Sequence, residues 1–168
     1  MSESGEQLPI IEQRRIEARV IKPIYDEMVA ELGVEMARRI LGAAIEKAAI
    51  AQGRAFAEAS GGHLGIDGFA AIQRHWTANG ALEIEEVGRS PDRLDFNVTR
   101  CRYAEMYREM GLGDIGHLLS CNRDGTFCQG FDPSITLERT QTIMSGATHC
   151  DFRYSVGADA GPPEAKAR

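Results

Sequence analysis

Residues 94–99 read Leu94-Asp95-Phe96-Asn97-Val98-Thr99, an unbroken alternation of apolar and polar side chains. Successive side chains of a β-strand point to opposite faces of the sheet, so the alternation predicts a strand with one apolar face. Leu82 and Ile84 alternate with glutamates in the same way, and a turn-forming stretch over residues 88–92 (Gly-Arg-Ser-Pro-Asp) separates the two segments. Together they predict an antiparallel β-hairpin.

A second strand pair is predicted near the carboxyl end of the chain. Residues 135–143, Ile-Thr-Leu-Glu-Arg-Thr-Gln-Thr-Ile, alternate in polarity and are rich in β-branched side chains, which favours a strand. Residues 145–147 (Ser-Gly-Ala) predict a turn, and residues 150–154 predict the returning strand. Helices are predicted between the two hairpins, over residues 102–110 and about 114–121.

The first half of the chain is predicted to be helical. Within residues 10–31, apolar side chains recur at every fourth position and predict the buried stripe of an amphipathic helix. The members of this stripe are Ile16, Val20, Ile24 and Met28. Because proline lacks a backbone N–H, Pro23 is expected to kink the helix or to divide it in two.

Two further helices are predicted before the first hairpin. Residues 34–59 are rich in alanine and predict a long helix, whose small side chains would let another helix approach closely. The third helix is predicted over residues 67–78, with Asp67 as its N-cap and Asn79-Gly80 at its end.

Length and composition predict one globular domain. The chain has 168 residues (18.4 kDa), of which 43% are hydrophobic. We expect a single domain over residues 1–156, with a helical part (1–79), a part that carries the sheet and the site (80–156), and a flexible tail (157–168). The expected fold is α+β: an N-terminal helical layer packed on an antiparallel sheet of about four strands, with inserted helices.

The charge and hydropathy of the chain exclude some classes of function. A net charge of -6 argues against a non-specific nucleic-acid-binding protein and against a polybasic membrane anchor. No stretch approaches the roughly 20 apolar residues that span a bilayer, and the polar start lacks the features of a signal peptide. We therefore expect a cytoplasmic protein with reduced cysteines that binds neither nucleic acid nor membrane. If the protein forms a homo-oligomer, we expect its N-terminal helices to form the interface.

The densest group of reactive side chains is His117, Cys121 and Asp124, which would share one face of a helix. An imidazolium would lower the pKa of the thiol and make Cys121 a nucleophile. The Asp124 carboxylate would orient the imidazole or act as a general base on water. The structural alternative is that Cys121 is an inert core residue and that Asp124, before Gly125, caps a turn.

The other cysteines suggest a second arrangement. Cys101 ends a predicted strand and Cys150 opens another, so both could converge with Cys121 as three thiolate ligands of a divalent metal. His117, His149 or Asp124 would then be the fourth ligand. The absence of a CxxC pair disfavours this arrangement, and the catalytic hypothesis requires no cofactor.

Arg139 is the third candidate, because it shares a strand face with apolar residues. An arginine on an inward face needs an anion, either a substrate carboxylate or a protein carboxylate such as Asp124 or Asp151. Thr140 and Thr142 are neighbouring candidates for substrate binding if the pocket opens on their face.

Residues 98–154 also carry several separated motifs in order. They are Val98-Thr99-Arg100-Cys101-Arg102-Tyr103, Leu119-Ser120-Cys121-Asn122-Arg123-Asp124, Gly130-Phe131-Asp132-Pro133, residues 137–144 (Leu-Glu-Arg-Thr-Gln-Thr-Ile-Met), and Gly146 followed by Cys150-Asp151-Phe152-Arg153-Tyr154. This segment resembles the L-2-amino-thiazoline-4-carboxylic acid hydrolase family. The resemblance implies hydrolysis of a cyclic amidine, a thiazoline, to N-carbamoyl-L-cysteine. It does not extend to His117 or Cys128. The order of elements is also similar to that of vinyl-reductase-like small-molecule-binding domains.

The leading hypothesis is therefore a hydrolase that opens a carbon–nitrogen bond of a small cyclic amidine. Cys121 would attack C2 of the ring, or Asp124 would protonate the ring nitrogen or activate water. Arg139 would hold the substrate carboxylate, with Thr140, Thr142, Cys101 and Cys150 as further binding candidates. The alternatives are a non-catalytic ligand-binding or metal-binding sensor domain, and a structural interaction domain.

Overall fold

The computed structural model describes residues 8–157. Its helices and strands, in chain order, are α1 (Ile10–Leu32), α2 (Val34–Ala59), α3 (Gly65–Ile72), α4 (Arg74–Thr77), β1 (Leu82–Ser90), β2 (Arg93–Cys101), α5 (Arg102–Glu109), α6 (Asn122–Phe131), β3 (Ile135–Glu138) and β4 (Cys150–Val156). A π-helical turn over His117–Cys121 leads directly into α6. The predicted tail lies outside the described residues, apart from Gly157.

The four strands form one antiparallel sheet in the order β1-β2-β4-β3. Phe96 of β2 pairs with Phe152 of β4, and Val98 pairs with Cys150. These side chains are buried together with aromatic residues of α3 and α6, so the apolar face of the sheet is covered by helices. The α+β prediction is confirmed.

The helical layer is held together by a close crossing of α2 and α6. A Cβ atom added at Gly53 would lie 2.2 Å from the carbonyl oxygen of Phe127, and one added at Gly130 would lie 2.0 Å from that of Ile50. Glycine at both positions lets the two backbones come this close. The predicted close approach to the alanine-rich helix is confirmed, and it fixes α6, which carries Asp124.

The predicted orientation of α1 is wrong. Ile16, Val20 and Ile24 of the predicted buried stripe are 50%, 59% and 54% exposed. The core instead receives a second apolar stripe on the opposite face: Ile10, Ile11, Ala18 and Tyr25, together with Arg14. Ala18 in this stripe is small enough for close packing against the neighbouring helices. The helix also continues through Pro23 rather than dividing.

Two other predicted elements are shorter in the structure. The third helix is two short helices, α3 and α4, and Asp67 lies in the first turn of α3 rather than at its N-cap. Strand β3 ends at Glu138, because the carboxylate of Asp151 accepts the backbone N–H groups of Thr140 and Gln141. These N–H groups therefore do not join a strand ladder.

Among residues 8–157, no helix is both long and apolar enough to cross a membrane.

Candidate active site

A narrow pocket opens where the helical layer meets the sheet. It is lined by Arg14, Gln52, Phe69, Gln73, Trp76, Leu82, Phe96, Arg123, Asp124, Phe127, Phe152 and Tyr154. Most of these side chains are aromatic or apolar, and a few polar groups converge on the same space, as is typical of small-molecule sites. The cavity volume is about 40 Å³, which is room for a few water molecules.

Asp124 is the acidic group of the pocket. Its Oδ2 accepts a hydrogen bond from Nη1 of Arg139 and forms an ion pair with it. Arg139 also donates from Nη2 to the carbonyl oxygen of Cys121 at 3.1 Å, and its guanidinium lies 4.8 Å from the centre of the Phe152 ring. The sequence predicts either a substrate carboxylate or a protein carboxylate as the partner of Arg139. In the structure that partner is the carboxylate of Asp124.

Burial raises the pKa of the Asp124 carboxyl, and the positive charge of Arg139 opposes this rise without cancelling it. Asp124 Oδ1 makes no hydrogen bond to another described residue, so one carboxylate oxygen is held by Arg139 and the other is available to a ligand. A partly desolvated carboxylate with a raised pKa is a suitable general base or acid.

Two further guanidinium groups line the pocket beside Asp124. Arg14 of α1 is only 4% exposed; it donates to both carboxylate oxygens of Glu17 and, at 2.7 Å, to Gln52 Oε1. Arg123 donates to Glu17 Oε2 at 3.1 Å and to the carbonyl oxygen of Leu119 at 2.8 Å. Burial, and then the charge of Arg14, lowers the pKa of Arg123 to about 10.

The charges around the pocket do not balance. Three guanidinium groups (Arg14, Arg123 and Arg139) meet two carboxylates (Glu17 and Asp124). Buried charge is costly unless it is paired, so this excess of one positive charge favours an anionic ligand. The electrostatics therefore suit a small molecule that carries a carboxylate.

Two aromatic residues of the pocket lining carry hydrogen-bonding groups. The Tyr154 hydroxyl and the Trp76 indole N–H make no hydrogen bond to other residues in the 8–157 range, and both residues line the cavity. Burial raises the pKa of the Tyr154 hydroxyl well above its ordinary value, so it stays protonated and can donate. Two neutral donors are thus available on aromatic residues of the lining.

The three candidate cysteines, Cys101, Cys121 and Cys150, are not among the residues that line the pocket. Burial raises the pKa of Cys121 to about 12 and that of Cys101 to about 11, and the charge of Asp124 adds to both shifts. Cys150 is shifted in the same direction for the same main reason. Cys101 Sγ accepts the backbone N–H of Ala104, and Cys150 Sγ accepts that of Ile143. The thiols therefore have the character of protonated packing and capping groups.

The remaining predicted site residues lie away from the pocket lining. His117 is exposed, and no hydrogen bond within the described part of the chain joins it to Cys121 or Asp124. Thr140 donates its hydroxyl to Asp151, and Thr142 caps the following turn by accepting the N–H of Ser145. In residues 8–157, no group of three or more His, Cys, Asp or Glu side chains is arranged to hold a metal ion.

Arg14 and Arg123 are the site residues that the sequence analysis missed. Arg14 lies four positions after Ile10 and four before Ala18, on the helix face that is buried. Its charge on that face is a usable signal, but the stripe of Ile16, Val20 and Ile24 has the same periodicity and predicts a different core face. Arg123 stands next to Asp124 in a motif already singled out, yet helical spacing alone did not show that both reach one pocket.

Comparison with known proteins identifies the family and the fold. The sequence matches the family described as L-2-amino-thiazoline-4-carboxylic acid hydrolase over residues 13–154. No curated protein matches the chain. Among solved structures, the fold is similar to the crystal structure of the phenol-responsive sensory domain of the transcription activator PoxR with phenol. That match has a TM-score of 0.52 and 13% identity, and it covers 82% of this chain and 73% of the other. At this identity the likeness concerns the fold alone.

The family match spans nearly the whole described structure, including Asp124, Arg139 and both pocket arginines. The name of the family indicates hydrolase activity on a thiazoline carboxylic acid. This chain therefore belongs to the L-2-amino-thiazoline-4-carboxylic acid hydrolase family.

Proposed function

We propose that the protein hydrolyses a small cyclic amidine that carries a carboxylate, of which L-2-aminothiazoline-4-carboxylate is the first candidate. The observation that carries this proposal is that one carboxylate, Asp124, and two guanidinium groups, Arg14 and Arg123, line the same small pocket. A protonated amidine would pair with Asp124, and the substrate carboxylate would pair with the arginines. This arrangement matches a ligand with opposite charges at its two ends.

Asp124 would act as a general base. Its carboxylate takes a proton from water, and the oxygen of that water adds to C2 of the amidinium ring. The resulting tetrahedral intermediate then collapses to a carbonyl as the ring bond at C2 breaks. Asp124 returns its proton to the leaving atom, and the hydroxyl proton passes to solvent.

The identity of the leaving atom depends on the ring. In a thiazoline that yields an N-carbamoyl amino acid, both nitrogens remain in the product, so the bond that breaks is C2–S and the leaving atom becomes a thiol. Cleavage of a ring C–N bond, as expected from the sequence, would apply only to cyclic amidines without sulfur at that position.

Asp124 is favoured over Cys121 because of their environments. Asp124 lines the pocket, whereas Cys121 does not, and a thiol with a pKa of about 12 is almost entirely protonated at neutral pH. A covalent mechanism would require a thiolate that burial disfavours. Cys121 instead contributes its backbone carbonyl oxygen, which helps to position Arg139.

The pocket must widen to admit this substrate. A cavity of about 40 Å³ is smaller than a ring that carries a carboxylate, so side chains of the lining move when the ligand enters. The internal ion pairs of Arg14 and Arg123 with Glu17 are the natural ones to rearrange, because Glu17 is 40% exposed and can turn to solvent.

A non-catalytic sensor is the second candidate function. It is favoured by the aromatic lining, which comprises Phe69, Trp76, Phe96, Phe127, Phe152 and Tyr154, and by the similar fold of a sensory domain whose structure contains phenol. Aromatic ligands would stack on such a lining without any need for Asp124.

Mass spectrometry of reaction mixtures separates the two functions. Purified protein is incubated with L-2-aminothiazoline-4-carboxylate, with the same ring lacking the carboxylate, and with phenol. The hydrolase predicts a product of substrate plus one water, formed only from the amidines and faster from the carboxylate. Binding of phenol or of the amidines without any gain of water, measured by calorimetry on the same preparation, would favour the sensor and contradict the hydrolase.

A further inference from the structure

The outward face of α1 has an apolar ridge that nothing in the described structure covers. Ile16, Val20 and Ile24 are each at least half exposed. Met28 continues the same row and is half-buried. Large exposed side chains that follow one row on a helix differ from the scattered apolar residues of an ordinary surface. Such a row is typical of an interaction surface.

A groove runs beside this ridge. Residues four apart form ridges on a helix surface, and helices pack by placing the ridge of one into the groove of the other. The ridge next to the apolar row consists of Arg15, Arg19, Pro23, Glu27 and Glu31. At the C-terminal half of α1, the two ridges enclose a surface pocket lined by Pro23, Ile24, Glu27, Met28, Glu31 and Leu32.

We propose that this face is the interface between two copies of the chain, whose α1 helices cross antiparallel about a two-fold axis near Pro23. In that arrangement, Ile16 of the second copy enters the hole between Glu27, Met28, Glu31 and Leu32. Symmetry places Ile16 of the first copy in the same hole of the second. The interface is isologous, as in most dimers of identical chains.

Charge complementarity selects a second copy as the occupant. The charged ridge is basic in its N-terminal half, at Arg15 and Arg19, and acidic in its C-terminal half, at Glu27 and Glu31. A two-fold axis near Pro23 places Arg19 opposite Glu27, and Arg15 opposite Glu31, of the other copy. A parallel arrangement would instead place like charges side by side.

Three of the four charged residues of this ridge are available for such pairing. Arg19, Glu27 and Glu31 form no ion pair with other residues in the 8–157 range, whereas Arg15 pairs with Glu12 at 3.4 Å. Lys22 and Asp26, on the adjacent row of α1, pair with each other at 2.8 Å. Three charges of this ridge therefore have no ion pair within the described residues, and a second copy would pair them.

Sedimentation velocity of the full chain at increasing micromolar concentrations tests the proposal. The wild type is expected to shift from the 18.4 kDa chain mass to twice that value. Val20→Glu is expected to remain a monomer with an unchanged circular dichroism spectrum, because its side chain is 59% exposed. Glu85→Arg, an exposed change on β1, is the control and is expected to dimerise like the wild type.

Charge reversal tests the antiparallel register. Arg19→Glu and Glu27→Arg each place like charges at two symmetric positions, so each is expected to weaken self-association about tenfold. A mixture of the two variants restores opposite charges at both positions and is expected to form a heterodimer of wild-type strength, as is the double variant on its own.

Three results would overturn the proposal. A wild type that stays monomeric at every concentration contradicts the dimer. A dimer that Val20→Glu leaves intact contradicts the α1 face. Single charge variants that weaken association but do not recover on mixing contradict the antiparallel register.

Discussion

Arg139 holds one oxygen of the Asp124 carboxylate and, at 3.1 Å, the carbonyl oxygen of Cys121. Arg139 follows β3, whereas Asp124 lies in the first turn of α6, so this ion pair joins the loop beside the sheet to the helix that carries the candidate base. The pair orients Asp124 and moderates the rise in its pKa that burial causes. Arg139 is thus placed to position Asp124.

The first prediction concerns the pH dependence of turnover. Because the active form of a general base is ionised, kcat/KM falls as the pH drops through the Asp124 pKa. Burial raises that pKa, so the acid limb should lie above the ordinary aspartate value of about 3.9. Arg139→Gln removes a cation that lowers the pKa and should move the limb to still higher pH.

Arg153→Gln is the matched control for this pH profile. Arg153 donates to the carbonyl oxygen of Phe96 and to Asn97 Oδ1, away from Asp124, so its replacement should leave the acid limb in place. An acid limb that does not move in Arg139→Gln, or that moves to lower pH, would argue against the link between Arg139 and Asp124.

The second prediction is that Cys121→Ser keeps most of the wild-type turnover. With a pKa of about 12, only roughly one thiol in 100,000 is ionised at pH 7. Initial rates of product formation measure the effect, and Cys128→Ser serves as a second buried cysteine change. If the serine variant at position 121 loses nearly all activity while the Cys128 variant keeps it, the covalent mechanism is correct instead.

The third prediction concerns recognition of the substrate carboxylate. Arg14→Gln should raise KM for the carboxylate substrate about tenfold or more, because a charge-assisted pair is lost. KM for the same ring without its carboxylate should hardly change. Arg54→Gln, an exposed change on α2, should affect neither substrate. Equal effects of Arg14→Gln on both substrates would show that Arg14 is structural only.

The fourth prediction concerns stability at the crossing of α2 and α6. Gly53→Ala places a methyl group within 2.2 Å of a backbone carbonyl oxygen and should lower the free energy of unfolding by about 1–3 kcal/mol or more. Gly42→Ala on the same helix meets only side chains at ordinary contact distance, Leu118 at 3.6 Å and Asn122 at 3.9 Å, and should stabilise by up to about 1 kcal/mol. Urea unfolding of both variants compares them. Similar stability changes in the two variants would refute the close crossing.

Local sequence patterns correctly predicted the elements in which the residues of the element itself determine which face is buried. The alternation through Leu94, Phe96 and Val98 predicted β2 because one face of that strand meets the core. The run of alanine and glycine predicted α2 with its observed ends, Val34 and Ala59. The ion pair of Asp124 and Arg139 was also among the predicted alternatives, because an arginine on an inward face requires an anion.

Other features depend on competition between distant parts of the chain. Two apolar stripes lie on opposite faces of α1, and periodicity alone does not decide which one meets the core. Likewise, β3 ends early because Asp151, more than ten residues away, captures the N–H of Thr140. The same ambiguity conceals Arg14, the buried charged residue of α1 that lines the pocket.

The most direct test of the proposed chemistry compares Asp124→Asn with the wild type on L-2-aminothiazoline-4-carboxylate. Asparagine keeps the shape and can still accept a hydrogen bond from Arg139, but it cannot take a proton from water. We predict that kcat falls by about 100-fold or more, while the protein stays folded and still binds the substrate carboxylate through Arg14 and Arg123. Near-wild-type turnover by a folded Asp124→Asn protein would contradict the role of Asp124 as the general base.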